Sequence, residues 1–201
     1  MKQQVKPIGP DAVHVCVDVQ RLFAEETDWH TPAIPEILPQ IVRLTEHAPS
    51  RSIFTRFTTP EHADDAEGHW RVYYERWTSV TTAVMDATMI DVVDALTRYV
   101  PPALVADKPT YSIFKTEAFR TMLDDMGCRT VICTGVETDV CVLGTVMDAM
   151  DFGYRVIIPS DAVSSSNPAS HAATMEHVYR RFEDQIEIGT TDEVLGHWTV
   201  S

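Results

Sequence analysis

Positive charge is scarce in this sequence. Sixteen Lys and Arg stand against thirty Asp and Glu in 201 residues, a net charge of −14. A field of that sign repels phosphate backbones and anionic lipids, so neither nucleic-acid nor membrane partners are expected. A small anionic molecule is still admissible, because one local Arg or Lys can outweigh the global field. Cysteine is scarce too. Cys16, Cys128, Cys133 and Cys141 form no Cys-x-x-Cys pair, and a chain of this length needs no disulfide staples. Free thiols in a reducing compartment are therefore expected. No apolar stretch approaches the roughly 20 residues of a membrane span. The first twenty residues lack a leader-like apolar run and are interrupted by Pro7 and Pro10, which points to the cytoplasm. Repeats, low-complexity tracts and linkers are missing as well, so one domain over 1–201 is the simplest organisation.

What is present is alternation. Apolar, β-rich segments at 12–19, 52–57, 103–106, 130–134, 154–158 and 185–188 read as strands. Between them lie helical patterns at 34–47, 64–80, 89–99, 116–126, 139–152 and 168–182. On the second segment Ile34, Ile37, Leu38, Ile41, Val42 and Leu44 share one broad face. Gly127 suits a helix C-terminal cap, and Pro101 and Pro102 stop the pattern that ends at Tyr99. Strand–helix alternation implies parallel βαβ units, and segments apolar on both faces, such as 13–17 and 131–133, imply central strands covered by helices.

In such sheets chemistry collects at the carboxyl ends of the strands. Asp18 ends the first strand, Lys108 follows the third and Cys141 follows the fourth. Cys141 would fall in the first turn of a helix, where free N–H groups and partial positive charge favour a thiolate and can receive an oxyanion. A carboxylate can accept the thiol proton, and an ammonium can steady the charges. Taken singly, each residue has an ordinary explanation: a capping Asp, a solvated Lys, a packed core thiol. Their coincidence at strand ends is harder to obtain by accident.

Three segments, Val-Asp-Val-Gln at 17–20, Asp-Lys-Pro-Thr-Tyr-Ser-Ile-Phe at 107–114 and Thr-Gly-Val-Glu-Thr-Asp-Val-Cys-Val at 134–142, resemble the signatures of the isochorismatase-like cysteine hydrolases. That family includes nicotinamidases and N-carbamoylsarcosine amidase. The resemblance runs from about residue 12 to 195, and the strand after the nucleophile helix, within 153–166, shares it. It implies a Rossmann-like three-layer α/β/α sandwich with a mainly parallel six-stranded sheet. It also implies a triad in which Asp18 takes the proton of Cys141 and Lys108 holds Asp18. The oxyanion hole would be the backbone N–H groups of Glu137 and Cys141, with a non-proline cis peptide at Val136–Glu137. Phe23 and Tyr111 would line the pocket, and the protein would form a homodimer or homotetramer.

The departures narrow this. Nicotinamidases carry an Asp-x-His metal motif after the second strand, where Phe57 and Thr59 stand here, and neither side chain can bind zinc. Asp28-Trp29-His30 looks like that motif but comes too early. His62 and His69 with Asp64 are a weaker set, more simply explained as solvated histidines. No metal and no cofactor are expected. Isochorismatases proper, which cleave a vinyl ether, generally lack the cysteine. Arg56 is the candidate partner for a substrate carboxylate, with a structural ion pair as its other explanation. Gln20 can orient Asp18 or the substrate. Trp70, Tyr73, Tyr74 and Trp77 fall on one helical face, either a pocket wall or a packing surface. The expectation is a metal-independent hydrolase of a small amide, ureido or carbamoyl C–N bond that forms a Cys141 thioester. An ether hydrolase, a redox-responsive thiol protein and a non-catalytic scaffold are the alternatives.

Overall fold

The computed structural model describes residues 5–200; residues 1–4 and 201, the ends of the expected 1–201 unit, lie outside the described residues. Seven strands form one sheet: β1 (Ala12–Val17), β2 (Ser52–Phe57), β3 (Leu104–Lys108), β4 (Thr130–Val136), β5 (Arg155–Pro159), β6 (Val163–Ser164) and β7 (Ile186–Gly189). Their order is β3-β2-β1-β4-β5-β7, and all pairings between them are parallel. That path holds the six expected strands. The seventh, β6, is two residues long and pairs with β4 beyond the point where β5 ends.

Helices flank the sheet: α1 (Arg21–Ala24), α2 (Ile34–His47), α3 (His69–Arg76), α4 (Asp94–Thr97), α5 (Glu117–Asp125), α6 (Cys141–Asp151), α7 (Pro168–Ala173) and α8 (Thr191–His197). The result is the expected α/β/α sandwich. α2 packs on β1 and β4, and α6 on β4 and β5. Every residue of β1 and β4 is buried, as strands covered on both faces must be. On α2, Ile34, Ile37, Ile41 and Leu44 are buried, each contributing about 1.5–3 kcal/mol by leaving water. Leu38 and Val42 are half-buried at the edge of that stripe. Gly127 takes φ +60 just past α5, as a left-handed cap requires.

Three expected helices depart from a single regular run. The run 64–80 is split into a short 3-10 turn, α3 and a second 3-10 turn, with Gly68 at φ +57 interrupting it. The run 89–99 is interrupted because Val92 bridges Gln20 and the Val93 N–H donates to the Val19 carbonyl, so the chain there turns extended to close the end of β1. The run 168–182 stays helical but widens to a π turn at Thr174–Val178 and tightens to 3-10 at Tyr179–Phe182.

Candidate active site

β1 and β4 approach each other closely at their carboxyl ends. Val17 is in register with Gly135, which sits at φ +102, and a Cβ there would lie 2.0 Å from the Val17 carbonyl oxygen. Only glycine fits. One residue past Val17 the chain leaves the strand through Asp18, whose φ of +53 is uncommon for a residue with a side chain. That turn aims a fully buried carboxylate along the end of the sheet. Thr55 of β2 holds it twice: its hydroxyl donates to Asp18 Oδ1 at 2.6 Å and accepts the Asp18 N–H at 3.2 Å.

The other oxygen, Oδ2, accepts from Lys108 Nζ at 2.7 Å. Lys108 belongs to the edge strand β3, so it is not on a neighbour of β1. Its long side chain crosses the intervening β2, with Nζ 4.5 Å over the Phe57 ring and a further hydrogen bond to the Thr110 carbonyl at 3.1 Å. Both side chains of this pair are at 0% exposure. A buried ion pair persists only when hydrogen bonds satisfy both partners, and Thr55 and Thr110 supply them.

Cys141 is the first residue of α6 and is buried at 6% exposure. Its thiol interacts with both the Asp18 carboxylate and the Lys108 ammonium. Burial and the Asp18 charge push the thiol well above its ordinary pKa, outweighing the downward pull of Lys108. The helix terminus was expected to favour a resting thiolate; the site instead holds a neutral thiol beside a carboxylate. The peptide Val136–Glu137 is cis. The Val140 and Val142 N–H groups both donate to the Glu137 carbonyl at 3.0 Å, and the Thr138 N–H to the Ser164 carbonyl at 3.0 Å. The N–H groups of Glu137 and Cys141 have no hydrogen-bond acceptor among the described residues.

A cavity of about 280 Å³ opens over Cys141. Its walls are aromatic: Phe23, Trp29, Phe57, Tyr73, Trp77 and Tyr111. Phe23 stacks on Trp29 with ring centroids 5.9 Å apart, and Trp29 reaches Tyr73 at 5.8 Å. Asp28, His30, Glu137 and Ser166 provide its polar groups. Phe23 and Tyr111, the pocket residues implied by the resemblance, are both among the lining. The helical face at 70–77 is divided: Tyr73 and Trp77 line the cavity, Tyr74 is buried beneath, and Trp70 backs Tyr111 at 4.9 Å.

Two expected substrate contacts are elsewhere. Arg56 is turned away from the cavity and forms a two-pronged pair with Asp107, at 2.7 and 2.9 Å, plus a bond to Asp91 at 3.1 Å. Gln20 is fully buried and spent on backbone. It accepts the Phe57 N–H at 2.7 Å and donates to the Phe57 and Ile90 carbonyls at 3.2 and 2.7 Å. It clamps the ends of β1 and β2 and does not face the cavity.

Sequence reasoning missed the Thr55 hydroxyl, the Glu137 side chain, Ser166 and the segment Asp28–His30. The last resembles a metal-binding triplet that comes too early in the sequence, yet it lines the cavity. A metal does not fit this donor set. Phe57 occupies the end of β2 with its face against Lys108, Asp64 pairs with Arg71 at 2.8 Å and leaves His62 on an exposed loop. No cluster of three or more His, Cys, Asp or Glu suited to a metal occurs among the described residues.

Comparison with known proteins shows the family and the fold. Residues 12–190 match the family described as the isochorismatase domain. A secreted isochorismatase effector of Phytophthora sojae is 39% identical over 79 residues, covering 39% of this chain and 38% of that protein. A ureidoacrylate amidohydrolase of Methylobacterium radiotolerans is 32% identical over 105 residues, covering 52% of this chain and 40% of that one. The chain thus aligns with about two fifths of the length of these curated relatives. The crystal structure of a cysteine hydrolase from Pseudomonas syringae superposes with a TM-score of 0.81 at 22% identity, covering 98% of this chain and 97% of that one.

Proposed function

This chain belongs to the isochorismatase family of hydrolases, and from that premise we propose that it cleaves the C–N bond of a small amide, ureido or carbamoyl compound through a thioester on Cys141. The observation that carries the reading is the placement of the Cys141 thiol, on the floor of the cavity, against a fully buried Asp18–Lys108 pair. Relatives named for amide hydrolysis, such as the ureidoacrylate amidohydrolase, support the bond type.

The steps follow from the groups present. Asp18 takes the thiol proton as sulfur attacks the carbonyl carbon, and Lys108 remains beside the two anionic partners in turn. The carbonyl oxygen becomes an oxyanion that the free Glu137 and Cys141 N–H groups can receive. Collapse of the tetrahedral species expels the nitrogen, which leaves as ammonia or amine with the proton from Asp18. Asp18, again ionised, removes a proton from water as that water attacks the thioester. Collapse then releases a carboxylic acid and returns the proton to the Cys141 sulfur. The raised thiol pKa suits this order, because the nucleophile is unmasked only when the base acts.

A screen of small amides, ureas and carbamates with ammonia release as the readout tests the reading. A substrate-derived mass increment on Cys141 is expected during turnover. Full turnover by Cys141→Ala on the substrate so found would refute it.

A further inference from the structure

The charges around the cavity are of one sign. Asp28 and Glu137 line it, and no Lys or Arg among the described residues does. Lys108 lies behind Cys141 and is matched one to one by Asp18. Arg56, the cation expected to meet a substrate carboxylate, is taken up by Asp107 and Asp91. Neither Asp28 nor Glu137 forms an ion pair among the described residues. Asp28 Oδ2 accepts from the Ser79 hydroxyl. Glu137 Oε1 accepts the Ser166 N–H at 2.8 Å and the Thr31 hydroxyl at 3.4 Å. Neutral donors thus fix both carboxylates in place and leave their charge uncompensated.

The surfaces between them are faces and edges of aromatic rings. Trp29 and Tyr73 lie 5.8 Å apart between centroids, beside Phe23 and Trp77. Aromatic faces attract cations, most strongly where water is excluded, and carboxylates set among them add to that attraction. An anion entering the same space would meet two like charges. Arg76, which forms no ion pair among the described residues, has its guanidinium 4.9 Å over the Trp77 ring and is not part of the cavity lining. The net charge of −14 draws cations towards the whole molecule as well.

Resting on the amidase reading above, we propose that the substrate is a small amide carrying a positive charge remote from the scissile carbonyl, and that Asp28 and Glu137 select it. At about 280 Å³ the cavity stands near the lower limit of common ligand pockets, roughly 300 Å³, so the cation-bearing part is compact. The imidazole of His30, next to Trp29 in sequence, also lines the cavity.

Three probes built on one benzamide ring separate the possibilities: 4-(aminomethyl)benzamide, benzamide and 4-carbamoylbenzoate. Their dissociation constants are measured by calorimetry on Cys141→Ala, which removes turnover and leaves every charge in place. The cationic probe is expected to bind about tenfold tighter than benzamide and about a hundredfold tighter than the anion. Asp28→Asn and Glu137→Gln, made on that background, each keep an acceptor for Ser79 and for Ser166, and each is expected to shrink the cation-to-anion ratio about tenfold. Equal binding of the three, no binding of any, or tighter binding of the anion would overturn the proposal, the last pointing to Arg76. Turnover of the same probes by the unmodified protein is scored separately. Cation-selective binding without any hydrolysis would sustain the charge selection and sink the amidase reading, while hydrolysis without charge preference would do the reverse.

Discussion

Lys108 and Asp18 form an ion pair at 0% exposure, so neither tolerates loss of the other. Lys108→Met is expected to cost about 3–5 kcal/mol by stranding the carboxylate. Adding Asp18→Asn should return part of that loss, and urea unfolding of the two single variants and the double variant reads the coupling. Gly135→Ala is expected to be costlier than a surface change, by about 3 kcal/mol or more, because its Cβ would enter the Val17 carbonyl. Asp18→Asn alone should lower kcat by roughly a thousandfold or more while leaving Cys141 slow to alkylate, since burial still opposes its ionisation. At this scale the grouping of Asp18, Lys108 and Cys141 was legible, because strand ends in a parallel sheet are where reactive side chains gather. Arg56 and Gln20 were not. Arg56 is in register with Asp107 on the neighbouring strand, and that pairing exists only once the strand order is known. Gln20 is absorbed by backbone groups of Phe57 and Ile90, from segments remote in sequence.

At the scale of elements, β1 carries a polar wedge. His14 is fully buried, with Nδ1 3.3 Å from Ser52 Oγ on β2 and Nε2 2.8 Å from Thr134 Oγ1 on β4. Burial lowers its pKa from 6.5 to about 3. Because the folded value is depressed, the unfolded chain binds the proton first, and stability falls as pH drops below 6.5 towards 3. The slope is about 1.4 kcal/mol per pH unit. Urea midpoints between pH 7 and 4 should show this fall, and His14→Gln should flatten it. α3 forms the outer wall of the cavity, so Trp77→Ala is expected to raise KM about tenfold with a smaller change in kcat. The α2 stripe could be read almost residue by residue, since its period is undisturbed. The 64–80 run could not, because Gly68 at positive φ breaks a pattern that the aromatic spacing alone continues. α8 was passed over although Thr190 and Glu193 form a capping box at its start; that signal was there to be read.

For the molecule as a whole, the thiols bound stability on the alkaline side. Burial raises Cys16 and Cys128 from 9.0 to about 12, and pushes Cys133 and Cys141 up as well. In the unfolded chain they ionise from about pH 9, so their contribution is intact below that pH and is lost as pH rises towards 12. Each thiol should contribute about 1.4 kcal/mol per pH unit to this loss. A dome of stability centred near neutrality is the expected outcome of urea unfolding from pH 4 to 11, and Cys16→Ala should shallow its alkaline limb. No helix among the described residues is long and apolar enough to cross a membrane. The order of the sheet has a consequence for how the chain matures. β1 lies between β2 and β4, with Ala12 opposite Thr130. A nascent chain that has reached only β3 therefore holds β1 with one flank bare, an apolar strand open to wrong partners. Asp18 is made early and Cys141 late, and they meet only when the strand beginning at Thr130 slots into the middle of the sheet. Hydrolytic activity in a growing or truncated chain should thus report completion of that insertion, appearing only after it and not in proportion to length.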